Sequence, residues 1–310
     1  MRQRVGAADG VTEPWYDAPM THSDDDATTG AHSATSESPS AQATDSGVAL
    51  AVVGLGRMGG AVLEGALRTK ALAPHDVGVY HPDAERRDAL AAHYGIGSLD
   101  DGDVHRARRV LIAVKPQSFE RVAPLIARRH AGYVSLMAGV PLTTLAKRLG
   151  SARVVRAMPN LGARVGASAT ALAWTPETSA DDLRFARGLF RACGTVYDID
   201  ESLFDAFTGL SGSGPAFAAL VAEALADGGV RVGFQRTVAR DLARQVLLAT
   251  ARLLETSDPA GIKDEVASPG GTAIAGVRTL ERHRLRFALI DAIEAASERA
   301  SELSGNGPTS

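Results

Sequence analysis

Two patterns of apolar residues divide the chain. From Val48 to about residue 200, short apolar runs alternate with stretches of helical periodicity. The runs "VALAVVG", "DVGVY", "RVLIAV", "YVSLMAG" and "ARVVRAMPN" predict strands, and "MGGAVLEGALRTK" and "AERRDALAAHY" predict helices. This alternation is typical of a parallel sheet with helices on both faces. We therefore predict an α/β domain over residues 48–200.

Beyond residue 200 the strand patterns stop and helical stripes take over. Apolar positions recur every three or four residues, in one stripe at Val238, Leu242, Val246, Ala249 and Leu253 and in another at Leu285, Leu289, Ala292, Ala296 and Ala300. These stripes predict an all-helical second domain over residues 201–305. They are too wide for one small helical domain to bury, so we also predict a homodimer or a higher homo-oligomer.

Residues 1–47 differ in kind, with eight acidic and two basic residues and little aliphatic content, which predicts a disordered tail. The remaining 31 basic and 28 acidic residues are nearly balanced and scattered, which argues against a nucleic-acid or membrane surface. A single cysteine, Cys193, excludes a disulfide framework and a zinc site of several thiolates, and we predict no metal site. Without an apolar run of transmembrane length or a signal-peptide pattern, a cytoplasmic location is expected.

The first chemical motif is a glycine-rich turn between a predicted strand and a predicted helix. In "AVVGLGRMGGAVLEGAL", Gly54, Gly56 and Gly59 have the spacing that lets the backbone approach a pyrophosphate at a helix N-terminus. The strand before it, the helix after it and the following βαβ unit favour a nucleotide coenzyme over a merely tight turn. The predicted coenzyme contacts here are Gly54, Leu55, Gly56, Arg57, Met58 and Gly59.

The second predicted strand bears on which coenzyme binds. NAD enzymes usually place an acidic residue at its tip, where this chain has Tyr80 and His81. Arg86 and Arg87 follow and are candidates to bind a 2′-phosphate, although both also fit a solvated helix face. We predict contacts from His81 and Arg86 and favour NADPH, with NADH possible.

Three more turns follow predicted strands: "AVKPQ", "LMAGVP" and "MPNLG". In an open α/β sheet, the carboxyl ends of the strands form the ligand crevice. Lys115 and Gly139 should therefore line it, and Asn160 would supply an orienting amide. The predicted contacts from these turns are Val114, Lys115, Pro116, Ala138, Gly139 and Asn160.

Together with "TGLSGSGPAFAALVAEALADGGVRVGF" and "KDEVASPGGTAIAGVRTLE", these motifs resemble the Δ1-pyrroline-5-carboxylate reductase family, from Val48 to about Leu303. The resemblance implies hydride transfer from NAD(P)H to a cyclic imine that carries a carboxylate, giving L-proline. It also implies interlocking helices in a homodimer and a cofactor ribose contact at Asp100, where the family often has Asn.

The resemblance further implies a substrate loop of Ser268, Gly270, Gly271, Thr272 and Ala273, with Glu201 facing the same pocket. A Pro-Gly-Gly turn ahead of a helix can seat an anion, although such a turn also serves as a plain connector. No catalytic residue is assigned, and Thr272 and Glu201 are the best candidates. The family usually carries Thr where this chain has Ala273.

Three other classes of protein stay open. A β-hydroxyacid dehydrogenase shares the plan but needs a lysine on the interdomain helix, and Gly214–Gly229 contains none. An enzyme that reduces NADP with a deazaflavin would lack the Ser-Pro-Gly-Gly segment. A non-catalytic nucleotide-binding regulator is favoured by Ala273.

Overall fold

The protein is described here by a computed structural model that covers residues 47–305. Apart from Gly47, the tail predicted over residues 1–47 lies outside the described residues. The first part of the described chain contains eight strands that form one sheet. The strands are β1 (Leu50–Val53), β2 (Val77–Tyr80), β3 (Gly97–Leu99), β4 (Arg109–Ile112), β5 (Gly132–Ser135), β6 (Val154–Met158), β7 (Ser168–Trp174) and β8 (Gly194–Asp198).

The strand order is β3-β2-β1-β4-β5-β6-β7-β8, and every neighbouring pair is parallel except β6 and β7. The prediction of a parallel sheet is therefore wrong at one position, where β7 returns antiparallel to β6. A short 3₁₀ turn, Leu161–Val165, joins these two strands. No crossover helix intervenes, and a connection this short can only return the chain antiparallel.

Six helices cover the sheet, and the alternation of side chains along β1 shows why both faces need cover. Ala51 and Val53 belong to one buried cluster, whereas Leu50 and Val52 belong to another. All four residues are almost completely buried, as expected for a central strand between two layers of helices. The helices are α1 (Arg57–Arg68), α2 (Ala84–Tyr94), α3 (Asp101–Arg106), α4 (Pro116–Ile126), α5 (Leu142–Leu149) and α6 (Ala180–Arg191).

Local sequence sets the ends of α2, which borders the glycine-rich turn. Asp83 caps its start, accepting a hydrogen bond from the backbone N–H of Arg86 at 3.1 Å. Gly95 ends it in the left-handed conformation, with φ of 65°. The helix therefore begins directly after the tip of β2.

A buried ionic network joins the amino ends of β4 and β6. Asp182 accepts hydrogen bonds from Arg109 Nε at 2.9 Å, Arg153 Nε at 2.8 Å and Ser179 Oγ at 2.7 Å. Burial alone would raise the pKa of Asp182, but the bonds from Ser179 and Arg153 outweigh it and hold that pKa below its usual value. The charged form of Asp182 is therefore part of the folded state.

The second part of the described chain is helical. Its elements are α7 (Phe204–Phe207), a π-helical segment (Thr208–Gly212), α8 (Gly214–Arg231), α9 (Arg236–Leu253), α10 (Pro259–Val266), α11 (Thr272–Arg282) and α12 (Leu285–Ser304). The predicted fold class, a Rossmann-type domain followed by an all-helical region, is confirmed. Within residues 47–305, no helix is both long and apolar enough to span a membrane.

The long helices expose much apolar surface in the single chain. Leu220 on α8 and Phe287 and Ile290 on α12 are each more than 60% exposed. Between α8 and α9 only Ala226, Ala239 and Ala243 form a small buried cluster. Apolar faces of this extent are characteristic of surfaces that pack against another protein.

Candidate active site

The three glycines after β1 have three different structural roles. Gly54 adopts a φ of 85°, which favours glycine. A Cβ on Gly59 would lie 2.7 Å from Ala113 Cβ, so this glycine lets α1 pack closely against the end of β4. A Cβ on Gly56 would meet nothing within 4 Å, which leaves open space above the turn. That open space is where a dinucleotide pyrophosphate lies in this fold.

The N-terminus of α1 adds positive potential to this space. Gly56 caps the helix without a side-chain hydrogen bond, and its first turn contains no acidic residue. The first N–H groups of the helix are therefore available to an anion, with the helix dipole behind them.

A cleft of about 370 Å³ opens beside the turn, at the carboxyl ends of β1, β2 and β4. Seven predicted coenzyme residues line it: Gly54, Leu55, Gly56, His81, Arg86, Val114 and Lys115. Its other lining residues are Val53, Tyr80, Pro82, Leu90, Ala113, Ser118, Arg121 and Val122. The turn, the tip of β2 and the turn after β4 thus meet at one site, as predicted for the crevice of an open sheet.

Eight other predicted coenzyme residues do not line this cleft: Arg57, Met58, Gly59, Asp100, Pro116, Ala138, Gly139 and Asn160. Asp100 instead caps α3, accepting a hydrogen bond from Asp103 N at 2.8 Å. This bond from the backbone of Asp103 lowers the pKa of Asp100. The Asp100 carboxylate therefore stabilises the start of α3, and a ribose contact by Asp100 finds no support in the single chain.

Gly139 and Asn160 contact the helical region. A Cβ on Gly139 would lie 3.2 Å from Leu303 O and from Ser304 Cα, so the end of α12 packs against this turn. The side-chain amide of Asn160 donates to Ser211 O and Ser211 Oγ, both at 3.1 Å. The turns after β5 and β6 therefore connect the sheet to the helices, and coenzyme contacts from them stay a prediction.

Of the two arginines after β2 that the sequence offers for a 2′-phosphate, only Arg86 lines the cleft. Arg87 Nε donates to Ser98 Oγ at 3.0 Å, which directs its side chain to β3, and the cleft lining does not include it. Arg121 on α4 does line the cleft and was not predicted. No signal in the sequence points to Arg121, because its place in the cleft depends on how α4 packs against the sheet.

The Ser-Pro-Gly-Gly segment forms a type II turn. Gly271 N donates to Ser268 O at 3.0 Å, Pro269 occupies the second position, and Gly270 has a φ of 69° at the third. Helix α11 starts directly afterwards, with no side-chain cap and no acidic residue in its first turn. The backbone here has the turn and the uncapped helix start that an anion seat requires, and anion binding at this turn stays a prediction.

The geometry of this turn explains the glycine at position 271. A Cβ there would meet Ser268 Oγ and lie 3.1 Å from Ser268 O, so it would disrupt the turn itself. Ser268, Gly270 and Thr272 are exposed, and no residue from Ser268 to Ala273 lines the cleft beside the glycine-rich turn. In the single chain, the substrate loop and the cleft are therefore separate.

Glu201, a candidate catalytic residue, is engaged elsewhere. Its Oε1 accepts hydrogen bonds from Leu142 N at 2.7 Å and Arg156 Nη1 at 2.9 Å. The Arg156 guanidinium is buried and stacks over the Phe204 ring at 4.5 Å. These contacts give Glu201 a structural role between β6, α5 and α7, and a catalytic role for it finds no support.

Comparison with known proteins agrees with this geometry. Residues 201–303 match the sequence model for pyrroline-5-carboxylate reductase dimerisation. The chain is 51% identical to a pyrroline-5-carboxylate reductase of Thermus thermophilus over 255 residues, which cover 82% of this chain and 98% of that one. The chain belongs to the pyrroline-5-carboxylate reductase family. A member of this family from Pisum sativum is 39% identical over 82% of this chain and 96% of its own.

Solved structures of the reductase family have the same fold. The enzyme of Coxiella burnetii aligns with a TM-score of 0.75 at 30% identity, over 84% of this chain and 99% of that one. The Plasmodium falciparum enzyme, solved with NADP bound, aligns with a TM-score of 0.73 at 25% identity, over 83% and 98%. Residues 49–139 also match the model for coenzyme F420-dependent NADP oxidoreductases, a match confined to the nucleotide-binding half.

Proposed function

We propose that this chain reduces 1-pyrroline-5-carboxylate to L-proline with NADPH. The observation that supports this most directly is the 51% identity to a pyrroline-5-carboxylate reductase over almost the whole length of that enzyme. NADPH supplies the hydride, which adds to the carbon of the C=N bond. The ring nitrogen gains one proton, so substrate, NADPH and a proton give proline and NADP⁺.

The coenzyme would be held by the glycine-rich turn and the cleft beside it. The open space above Gly56 and the free N-terminus of α1 fit a pyrophosphate. Lys115 lies in the same cleft and adds a positive charge. We expect Arg86 to reach the 2′-phosphate that distinguishes NADP from NAD.

The substrate carboxylate would bind at the Ser268–Gly271 turn and the start of α11. Both offer backbone N–H groups without a competing side-chain cap. No acid or base near this turn is assigned, so binding and orientation of the carboxylate and the imine account for most of the rate increase. Thr272 opens α11 and is the hydroxyl nearest in sequence to the position of Ala273.

The active protein would be a homodimer. The exposed apolar faces of α8 and α12 need a partner, and the matched dimerisation model spans these helices. Light scattering at micromolar concentration tests this, and a stable monomer would contradict it. A cytoplasmic location stays a prediction.

The decisive experiment incubates purified protein with 1-pyrroline-5-carboxylate and either NADPH or NADH, and measures both coenzyme oxidation and proline. Proline formation that depends on both reactants supports the proposal. Tight NADPH binding without proline would identify a nucleotide-binding protein without this activity. Turnover of a different imine or hydroxyacid would assign another substrate.

A further inference from the structure

The cleft beside the glycine-rich turn, which is the proposed coenzyme site, is lined by positively charged side chains and by no carboxylate. We call it the coenzyme cleft. Arg86, Lys115 and Arg121 are among its lining residues, and none of the fifteen is Asp or Glu. The nearby acids are already engaged: Asp83 caps α2, Asp100 caps α3, and Asp101 accepts a hydrogen bond from Tyr80 Oη at 2.6 Å. A ribose 2′-hydroxyl therefore meets no carboxylate acceptor here, whereas a 2′-phosphate meets complementary charge.

Two guanidinium groups of this cleft are free to bind a ligand. Within the part of the chain that the structure describes, the side chains of Arg86 and Arg121 have no hydrogen bond or ion pair. Their sequence neighbours do have partners. Arg87 donates to Ser98, and Glu120 pairs with Arg148 on α5 at 3.0 Å.

The two arginines come from helices that pack on opposite faces of the sheet, α4 on one face and α2 on the other. Arg86 lies in the first turn of α2, one helical turn before Leu90, and both line the cleft. Arg121 lies on α4 one turn after Ser118, and both of these residues also line the cleft. The tip of β2 lies between these helices, where the adenosine ribose of a dinucleotide is found in this fold.

We propose that Arg121 on α4 binds the 2′-phosphate of NADP together with Arg86 on α2, so that both helices determine coenzyme specificity. This rests on the proposed function only in that the cleft holds a nicotinamide dinucleotide. A phosphate carries up to two negative charges and three acceptor oxygens, enough for one guanidinium on each side. A guanidinium can in addition stack on the adenine ring.

The test measures coenzyme binding directly, so that it does not depend on turnover. NADPH and NADH are titrated into the purified full-length chain, with nicotinamide fluorescence as the signal. The probes 2′-phosphoadenosine 5′-phosphate and adenosine 5′-phosphate are then used to displace the bound coenzyme. They differ only in the 2′-phosphate, so their ratio reports this contact alone. The variants are Arg121→Ala, Arg86→Ala and Arg121→Lys, with Arg191→Ala, an exposed arginine on α6 outside the cleft, as the matched control.

We expect Arg121→Ala to weaken the binding of NADPH and of the 2′-phosphorylated probe about ten- to hundredfold, since each charge-assisted contact has roughly that effect on affinity. The affinities for NADH and adenosine 5′-phosphate should change less than about threefold. Arg121→Lys should recover part of the lost NADPH affinity. Equal losses for both probes would overturn the proposal and assign Arg121 to adenine packing. Unchanged NADPH affinity in Arg121→Ala, with a loss in Arg86→Ala, would overturn it as well. If the wild-type chain binds neither coenzyme, the proposed function itself fails.

Discussion

Replacing Glu201 separates a structural role for this residue from the substrate role that the family resemblance implies. The Arg156 side chain is only 4% exposed, and among the described residues Glu201 supplies the only carboxylate bonded to it. Glu201→Ala removes that carboxylate. Arg156 Nε already lacks a hydrogen-bond partner within the described chain. The variant would therefore leave a buried guanidinium without a counter-charge.

The expected loss of folding stability in Glu201→Ala follows from the burial of Glu201 and Arg156. Removing one member of a fully buried ion pair costs about 3–5 kcal/mol. The Glu201 side chain is 29% exposed, so water can enter, and we reduce this to roughly 2 kcal/mol. The lost acceptor for Leu142 N adds about 1 kcal/mol. A total near 3 kcal/mol would lower the unfolding temperature by roughly 6–12 °C for a domain of this size.

The assay is thermal unfolding at one protein concentration, because oligomer stability depends on concentration, combined with steady-state kinetics of the surviving enzyme. Glu201→Gln keeps an acceptor oxygen and should lose less stability than Glu201→Ala. The double variant Arg156→Met with Glu201→Leu removes both charges and should recover part of the loss. A Glu201→Ala protein that unfolds at the wild-type temperature but has a raised KM for the imine would refute this reasoning and restore the substrate role.

Three other predictions test separate parts of the molecule. Gly56→Val should abolish coenzyme binding in a fluorescence titration, because its side chain fills the open space above the turn while the fold tolerates it, and retained affinity would contradict the assignment. Ala273→Thr should raise kcat for proline formation about tenfold if the added hydroxyl contributes ~1.4 kcal/mol in the transition state, and an unchanged kcat would exclude that contact. The lowered folded-state pKa of Asp182 stabilises the fold above a pH of about 4, and this contribution is lost as the pH falls through the folded-state value. Asp182→Asn should therefore unfold more easily at neutral pH and show a shallower acid dependence in urea titrations.

The glycine-rich turn could be predicted from the sequence because its roles depend on the backbone. Spacing alone placed Gly54 and Gly56 between β1 and α1, and Gly59 in the first turn of α1. Arg121 could not be predicted in the same way, because its role depends on α4 lying across the cleft from α2. The partners of Glu201 were missed for a similar reason, since Leu142 and Arg156 are far from it in sequence.

Three strands were missed for reasons that lie in their residues. β3 has only three residues, too few to show a period. β7, "SATALAW", is buried along most of both faces and rich in small residues, so it shows neither strong alternation nor high strand propensity. β8, "GTVYD", is partly exposed at the sheet edge and contains only two strongly strand-forming apolar residues.

The π-helical segment Thr208–Gly212 affects how insertions and deletions would act on this chain. Ser213 N bonds to Thr208 O at 2.9 Å, a spacing of five residues, so the helix holds one residue more than an α-helix would there. Deleting one residue in this segment would let α7 continue into α8 with regular geometry. It would leave the side chains of α8 close to their present orientation, because the wider turn already absorbs the extra residue, whereas a deletion within the regular part of α8 would rotate the side chains beyond it by about 100°. The π-helical segment is thus the place in this helix where the loss of one residue would disturb the packing of α8 least.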